Sequence, residues 1–155
     1  MRRGRSDDPA LASAVRILAR RDHGTAELAR KLTGRGFDDS AVSAALARCR
    51  ELGYLDDERA GRVRLRSLKD RACGVRRMVA DLTGRGFAKE LVDRLIDEAV
   101  DEAGERDRAR RALSSRWAAL RREPDPRRRQ ARAWRFLQGR GFTPAVIADV
   151  LSEAG

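Results

Sequence analysis

A six-residue segment that occurs three times constrains the fold of this chain more than any other feature. It reads Leu-Thr-Gly-Arg-Gly-Phe at 32–37 and 82–87, and Leu-Gln-Gly-Arg-Gly-Phe at 137–142, so the copies are 50 and then 55 residues apart. Apolar residues recur at matching positions after each Phe. Self-similarity at a nearly fixed period is the signature of a repeat architecture. The sequence therefore predicts one helical unit that occurs three times.

The chemistry of this hexamer is that of a joint between two helices. A helix ends at the Leu, and we expect the first Gly to adopt the left-handed conformation that closes a helix C-terminus. The Phe should return to the core as the next helix begins. We therefore expect Phe37, Phe87 and Phe142 to be equivalently buried. The Arg between the glycines is either a solvated loop charge or a contact for a partner.

Helix-starting residues follow two of the three hexamers. Asp38 or Asp39 can cap the helix after the first copy, and Thr143 before Pro144 can cap the helix after the third. The second copy has no obvious cap. Elsewhere, Thr25 is expected to cap the second helix of the chain.

Apolar residues at i, i+3 and i+4 spacing recur throughout, and no alternating stretch indicates a strand. We predict an all-α fold in which three tandem three-helix repeats form an elongated, curved array of nine helices. The predicted divisions are a disordered N-terminal arm at 1–9 and repeats at 10–53, 54–103 and 104–155. A weak break is expected at Gly104, before the seventh helix.

The charge of the chain points to a polyanionic partner. The 155 residues carry a net charge of +11, which favours nucleic acid first. Only three of the 35 cationic residues are Lys, however, and such an Arg bias can also reflect a GC-rich genome.

The positive charge is concentrated between residues 105 and 135, where twelve arginines stand against four acidic residues. This segment is the best candidate for a phosphate-facing surface, the alternative being a solubilising face. Its candidate contact residues are Arg121, Arg122, Arg127, Arg128, Arg129 and Arg132. Trp117 and Trp134 lie in the same segment and could stack on bases, but both occupy apolar stripes, which favours core packing.

Other residue types indicate neither catalysis nor metal binding. Cys49 and Cys73 lack a metal-ligand spacing and, as isolated thiols, fit a reducing cytosol. His23 has no recognisable catalytic partner, and Asp56-Asp57 are explained by a helix N-terminus. We expect no enzymatic activity and no cofactor. Without a transmembrane-length run, the protein is expected to be soluble and cytoplasmic, and a monomer.

Two features together resemble the RecX family, the bacterial regulators of the RecA recombinase. One is the set of three units with a Gly-x-Gly-Phe joint, and the other is Gly-Tyr-Leu-Asp-Asp at 53–57, which opens the second unit. The resemblance covers nearly the whole chain, from about Ala10 to Leu151. In one departure, Arg59 is followed by Ala60 where relatives usually carry an aromatic residue.

The resemblance implies a non-enzymatic modulator, mainly an inhibitor. Such proteins lie in the groove of the RecA–single-stranded DNA filament, where they reduce ATP hydrolysis, strand exchange and filament growth. The family partners would be the RecA nucleoprotein filament and single-stranded DNA, reached directly or through RecA. The candidate contact residues outside the basic segment are Tyr54, Asp56, Asp57 and Arg59, together with the hexamer arginines Arg35, Arg85 and Arg140.

Two rival interpretations follow from the residues alone. The first is a helical repeat protein that binds nucleic acid without sequence preference and without RecA. The second is a protein–protein scaffold whose arginines reflect genomic bias. Salt dependence separates them, because direct binding of single strands weakens by roughly 0.7 log units per log unit of salt for each phosphate neutralised.

Overall fold

The structure, a computed structural model, describes residues 8–154, and within that range the chain forms nine α-helices and no strand. The all-α prediction is confirmed. The helices are α1 (Pro9–Leu18), α2 (Thr25–Gly34), α3 (Asp39–Glu51), α4 (Asp57–Asp70), α5 (Val75–Gly84), α6 (Lys89–Ala99), α7 (Glu102–Leu120), α8 (Pro126–Gly139) and α9 (Pro144–Ala154).

Each set of three consecutive helices packs around an apolar cluster of its own. The hexamer leucines Leu32, Leu82 and Leu137 are each fully buried, one in each cluster. Around them lie the apolar stripes of the neighbouring helices, such as Val42 in the first cluster and Ile147 in the third. We propose to keep the predicted divisions 10–53, 54–103 and 104–155, and refer to them as modules 1, 2 and 3.

The beginning and end of several helices differ from the sequence predictions. Asp8 and Pro9, which we assigned to the N-terminal arm, cap and begin α1, and the Asp8 carboxylate accepts a hydrogen bond from the amide of Ala10. The rest of the predicted arm lies outside the described residues. The predicted break at Gly104 is wrong, because α7 already begins at Glu102 and Asp101 caps it by accepting from the Gly104 amide.

The hexamer closes its helix at the second glycine, and our assignment of the left-handed conformation to the first glycine is wrong. Gly36, Gly86 and Gly141 have φ values of 91°, 85° and 91°, whereas the first glycines are the last helical residues. In the first copy the Gly36 amide donates to the Thr33 carbonyl and the Phe37 amide to the Leu32 carbonyl. This pair of bonds is the Schellman motif, which requires the left-handed residue one position beyond the C-cap.

The caps after the hexamers follow the sequence predictions. The Asp38 carboxylate accepts from the Ala41 amide, and Thr143 Oγ1 accepts from the Val146 amide with Pro144 at the first helical position. The helix after the second hexamer has no side-chain cap, as expected. The prediction for Thr25 is wrong: it lies inside α2, which is capped by a glycine that has no side chain to offer.

The three hexamer phenylalanines are not equivalently buried. Phe142 is 0% exposed and Phe87 is 6% exposed, but Phe37 is only half-buried. Phe87 lies against Gly24 of module 1, whose hypothetical Cβ would come within 2.9 Å of the ring. Phe37 belongs to the first module, so no earlier module among the described residues covers it. The burial of the hexamer phenylalanine therefore depends on contact with the preceding module as well as on packing within its own module.

Candidate nucleic-acid interface

The junctions between modules are built around two glycines that begin the second helix of a module. At the junction between modules 2 and 3, the Gly74 amide donates to the Arg140 carbonyl at 2.8 Å and the Arg76 amide donates to the Gly141 carbonyl at 3.0 Å. A Cβ added at Gly74 would lie 2.3 Å from the Gly141 carbonyl carbon. The third hexamer therefore docks backbone to backbone on the start of α5.

The N-cap glycines of α2 and α5 have no side chain that could accept a hydrogen bond from the first helical amides. In each case a carboxylate from the following module accepts that bond instead. Asp57 Oδ1 of α4 accepts from the Thr25 amide at 2.7 Å and from Thr25 Oγ1 at 2.8 Å. Glu105 of α7 stands in the same relation to α5, since its Oε1 accepts from the Val75 amide at 3.3 Å. A carboxylate at a helix N-terminus satisfies free amides and interacts favourably with the helix dipole. The modules are thus joined by cross-module capping.

The acidic segment that opens module 2 is occupied by these structural contacts. Asp56 caps α4 by accepting from the Arg59 amide, and Asp57 joins α4 to α2. The Arg59 guanidinium lies 3.2 Å from Asp22 Oδ1 and also donates to the Gly53 and Tyr54 carbonyls. Tyr54, Asp56 and Arg59 are all exposed, and 49% of the Tyr54 surface is accessible. Of the four predicted contact residues here, Tyr54 is the one whose side chain makes no hydrogen bond or ion pair within the described residues.

The three hexamer arginines have different surroundings although they occupy equivalent sequence positions. Arg85 pairs with Asp81 at 2.9 Å and approaches Glu27 of module 1 at 3.9 Å. Arg140 donates across the next junction to the carbonyls of Arg71 and Ala72. Arg35 has no carboxylate within 4 Å in the described part of the chain and donates to Ser13 Oγ at 2.7 Å. The three hexamer arginines therefore do not present a row of equivalent, repeated contacts.

The predicted basic segment divides into an internally paired half and a free half. On α7, Arg106 pairs with Asp149 and Glu102, Arg110 pairs with Glu153 and Asp107, and Arg108 is buried with its Nε donating to the Cys73 carbonyl. The ion pairs of Arg106 and Arg110 join α7 to α9 within module 3, whereas the Arg108 bond joins module 3 to module 2. Because their charge is neutralised or covered, these three arginines are weak candidates for phosphate contact. The other two arginines of α7 are exposed: Arg111 donates to the Lys69 carbonyl and Arg116 lies over the Phe136 ring.

The free half lies where α7 turns into α8, and we call it the α7–α8 surface. Its exposed arginines are Arg121, Arg122, Arg127, Arg128 and Arg132. Arg128 and Arg132 have carboxylate partners, Asp125 at 3.6 Å and Glu123 at 3.0 Å, and the half-buried Arg129 donates to the Glu123 carbonyl. For the other three, no described carboxylate lies within 4 Å. Trp117 and Trp134 pack against the third core, as predicted.

A second group of cations lies in module 1, and the sequence analysis singled out only one of them, Arg35. A cleft of about 470 Å³ in module 1 is lined by Arg16, Ile17, Arg20, Arg21, His23, Lys31 and Arg35, and we call it the module 1 cleft. The signal that could have found it is the spacing of four positively charged residues, Arg16 with Arg20 and Lys31 with Arg35. Each pair lies four positions apart, at the C-terminal end of α1 in one case and of α2 in the other.

His23 is buried in the wall of this cleft with both ring nitrogens bonded. Nδ1 lies 2.8 Å from the Arg21 carbonyl, which can only accept, and Nε2 lies 2.9 Å from the Lys31 ammonium, which can only donate. These partners require a neutral ring with its proton on Nδ1. Burial lowers the pKa of His23 and favours the same state. The ring orients Lys31 rather than acting as a base.

Neither a metal centre nor a membrane span is found in the part of the chain that the structure describes. No three side chains among its His, Cys, Asp and Glu residues are grouped to hold an ion, and Cys49 and Cys73 are buried, unpaired thiols. No helix between residues 8 and 154 combines the length and apolarity needed to cross a bilayer.

Solved structures share this fold. The crystal structure of RecX from Lactobacillus salivarius superimposes with a TM-score of 0.80 over 96% of this chain and 97% of that one, at 14% identity. A second crystal structure, described as regulatory protein RecX, gives a TM-score of 0.79 over 92% of this chain and 70% of that one, at 17% identity. At these identities the likeness establishes the fold alone.

Sequence similarity establishes the family. Residues 10–49 match the family description "RecX, first three-helix domain" and residues 104–151 match "RecX, third three-helix domain". The "Regulatory protein RecX" of Halorhodospira halophila is 36% identical over 98% of this chain and 96% of its own length. The proteins of that name from Thermus thermophilus (40% identity, 90% and 88% coverage) and Syntrophotalea carbinolica (32%, 93% and 95%) are similar over comparable spans. The chain therefore belongs to the RecX family of regulatory proteins.

Proposed function

We propose that this protein is a non-enzymatic modulator of RecA, mainly an inhibitor. It binds in the groove of the RecA–single-stranded DNA filament and reduces ATP hydrolysis, strand exchange and filament growth. The observation that carries this proposal is membership of a family of regulatory proteins along nearly the whole chain. We further propose that it acts in the cytoplasm as a monomer.

The way the modules are joined supports binding to a partner whose own surface repeats. Backbone hydrogen bonds at Gly74 and the cross-module caps from Asp57 and Glu105 hold each module against the next. Binding by a preorganised surface loses less conformational entropy than binding by a flexible one. Contacts made by successive modules then strengthen one another through effective concentration. Such a protein would bind an assembled filament more tightly than isolated protomers.

The free arginines favour a second candidate, a helical repeat protein that binds nucleic acid without sequence preference and without RecA. Arg121, Arg122 and Arg127 project from the α7–α8 surface with no described carboxylate within 4 Å. Guanidinium groups in this state are available to phosphate oxygens. In the RecA-dependent proposal the same arginines contact the DNA strand held in the filament.

A RecA turnover assay tests the proposal directly. The protein is added to RecA that is already assembled on single-stranded DNA and hydrolysing ATP. The expected result is a fall in turnover when the added protein is far scarcer than the DNA sites, because a filament modulator acts at few positions. Inhibition that needs enough protein to coat the strand, or that vanishes once RecA has assembled, would favour the second candidate.

The contribution of the α7–α8 surface is tested in the same assay with a pair of charge-matched variants. Arg121→Gln with Arg127→Gln should weaken inhibition, while Arg66→Gln with Arg76→Gln, at exposed positions of α4 and α5, should leave it near the wild-type level. Equal losses in both variants would mean that net charge alone matters. Unchanged inhibition in the first variant would mean that this surface is only a solvated face.

A further inference from the structure

We propose that the module 1 cleft is a binding site for a phosphate oxyanion, of the kind carried by a DNA backbone or a nucleotide polyphosphate. The inference rests on the proposed function, because the cleft would be a second phosphate contact of the RecA modulator. It lies in module 1 and is separate from the α7–α8 surface in module 3. The cleft is assembled by α1, by the turn that follows it and by α2.

The charge balance inside the cleft is strongly positive. Five cationic side chains line its space of about 470 Å³. The carboxylate of Glu27 is the one acidic group that reaches them within the described residues, at 2.6 Å from Arg21 Nη2 and 3.8 Å from Lys31 Nζ. Although burial alone would raise the pKa of Glu27, the hydrogen bond from Arg21 and the nearby cations keep that pKa low. Glu27 is therefore ionised and engaged by these two partners.

The remaining three arginines have no described acidic partner. Arg16 and Arg20 are exposed, with no carboxylate within 4 Å among residues 8–154, and Arg35 is likewise free of acidic neighbours. Like charges placed close together repel one another, and an anion bound between them would relieve that repulsion. A cluster of uncompensated like charges is typical of a functional site.

Arg35 is held in a defined position by the fold. It is the C-cap residue of α2, and its Nη1 donates at 2.7 Å to Oγ of Ser13, which is 6% exposed on α1. The neutral His23 ring accepts a hydrogen bond from Lys31 Nζ at 2.9 Å, which orients the ammonium group as well. A binding site with two of its cations already oriented loses less entropy on binding.

The tertiary position of module 1 explains why Arg35, and not its repeats, is available. Arg85 and Arg140 are occupied near junctions with the preceding module, through Asp81 and Glu27 in one case and through main-chain carbonyls of module 2 in the other. No module precedes the first one in the described chain. Arg35, which has no preceding module to contact within the described residues, lines the positively charged cleft instead.

Guanidinium groups identify the ligand class. Arg presents its N–H donors in a planar fork that matches the tetrahedral oxygens of phosphate, and it stays charged at all relevant pH values. Four of the five lining cations are arginines. A phosphate oxyanion can be shared between the Arg16–Arg20 row and the Lys31–Arg35 row, which line the cleft together.

The test measures direct binding in the absence of RecA. A labelled thymidine oligonucleotide is titrated with the full-length protein by fluorescence anisotropy at increasing NaCl, and pyrophosphate and ATP are added as competitors. The cleft variant is Arg16→Gln with Arg20→Gln, and the charge-matched control is Arg66→Gln with Arg76→Gln. Far-ultraviolet circular dichroism checks that both variants are folded.

The cleft variant should bind the oligonucleotide more weakly. Its salt slope should fall by about 0.7 for each lost phosphate contact, while the control keeps the wild-type slope. Competition by pyrophosphate and ATP that is lost in the cleft variant identifies a general phosphate site. Competition by unlabelled oligonucleotide alone, again lost in the variant, identifies a site for the strand. Wild-type affinity and slope in the cleft variant, or equal losses in variant and control, would overturn the proposal.

Failure here is separable from failure of the proposed function. If the wild-type protein inhibits RecA turnover but the cleft variant binds phosphate like the wild type, the cleft assignment is wrong and the modulator remains. If the wild type binds phosphate through the cleft but leaves RecA turnover unchanged, the cleft stands and the RecA proposal is wrong.

Discussion

Replacing Gly74 by Ala should break the junction between modules 2 and 3. The added Cβ would lie 2.3 Å from the backbone of Gly141 and Phe142, so the third hexamer must move away from α5. Overpacking of this kind costs about 1–3 kcal/mol. The shift also weakens two backbone hydrogen bonds, of 2.8 and 3.0 Å, that contribute about 1 kcal/mol each. We therefore expect the free energy of unfolding to fall by about 2–5 kcal/mol.

Urea unfolding followed by circular dichroism measures this loss, with Gly84→Ala as the matched control. Gly84 ends the same helix, has no positive φ, and its added Cβ would contact nothing within 4 Å. The control should be neutral or more stable by up to about 1 kcal/mol, because Ala is a better helix former than Gly. If the two variants unfold at the same urea concentration, close approach at Gly74 does not hold the modules together.

Three further predictions follow from the same contacts. Phe142→Ala should lower the unfolding free energy by about 3–5 kcal/mol and Phe37→Ala by clearly less, since only the former is fully covered; equal losses in urea unfolding would contradict this order. Asp57→Ala should lower the unfolding free energy by about 1–3 kcal/mol, because it removes the cross-module cap on α2. The control Asp97→Ala, at an exposed position of α6, should leave the unfolding free energy nearly unchanged in the same measurement. Burial lowers the pKa of His23 in the folded protein, so below about pH 6.5 the imidazole binds a proton more readily in the unfolded chain. The unfolding free energy should therefore fall as the pH drops below about 6.5. Urea unfolding at several pH values should show that the contribution of His23 to this fall is absent in His23→Gln.

The two junctions explain why the opening acids of modules 2 and 3 matter even without a partner. The N-caps of α2 and α5 are Gly24 and Gly74, which have no side chain to satisfy the first amides. A larger residue would block the next hexamer, so the capping group must come from elsewhere. Asp57 and Glu105 provide it from the following module. Close approach and cross-module capping are thus two consequences of the same glycines.

Module 3 differs from the other two modules at the position of the junction glycine. Counting back ten residues from the first hexamer glycine leads to Gly24, to Gly74 and then to Arg129. In module 3 the second helix is 14 residues long instead of 10, and Arg129 lies inside it. The equivalent of the two junction glycines is therefore an arginine within a helix in module 3.

The sequence by itself determined the local structure of this protein and its repeat number. The hexamers that start at Leu32, Leu82 and Leu137 each close a helix with the same Schellman motif. This motif depends on the short sequence alone, because its hydrogen bonds join residues at most five positions apart. The caps at Asp38 and Thr143 were predictable for the same reason. The family was also recognisable, since the order and spacing of motifs are properties of the chain.

Only the tertiary structure decided what the equivalent residues do. The partners of Phe37, Arg35, Asp57 and their equivalents depend on which module lies next to them. The hydrogen bonds that Asp57 and Arg140 make with the preceding module join residues 32 to 69 positions apart. The acidic motif that opens module 2 forms a junction, and Arg35 lines a cleft together with arginines that the sequence analysis did not single out. Repetition in sequence makes the modules alike, but each module has different neighbours. Within residues 8–154, Arg85 and Arg140 contact the preceding module, whereas Arg35 contacts no carboxylate.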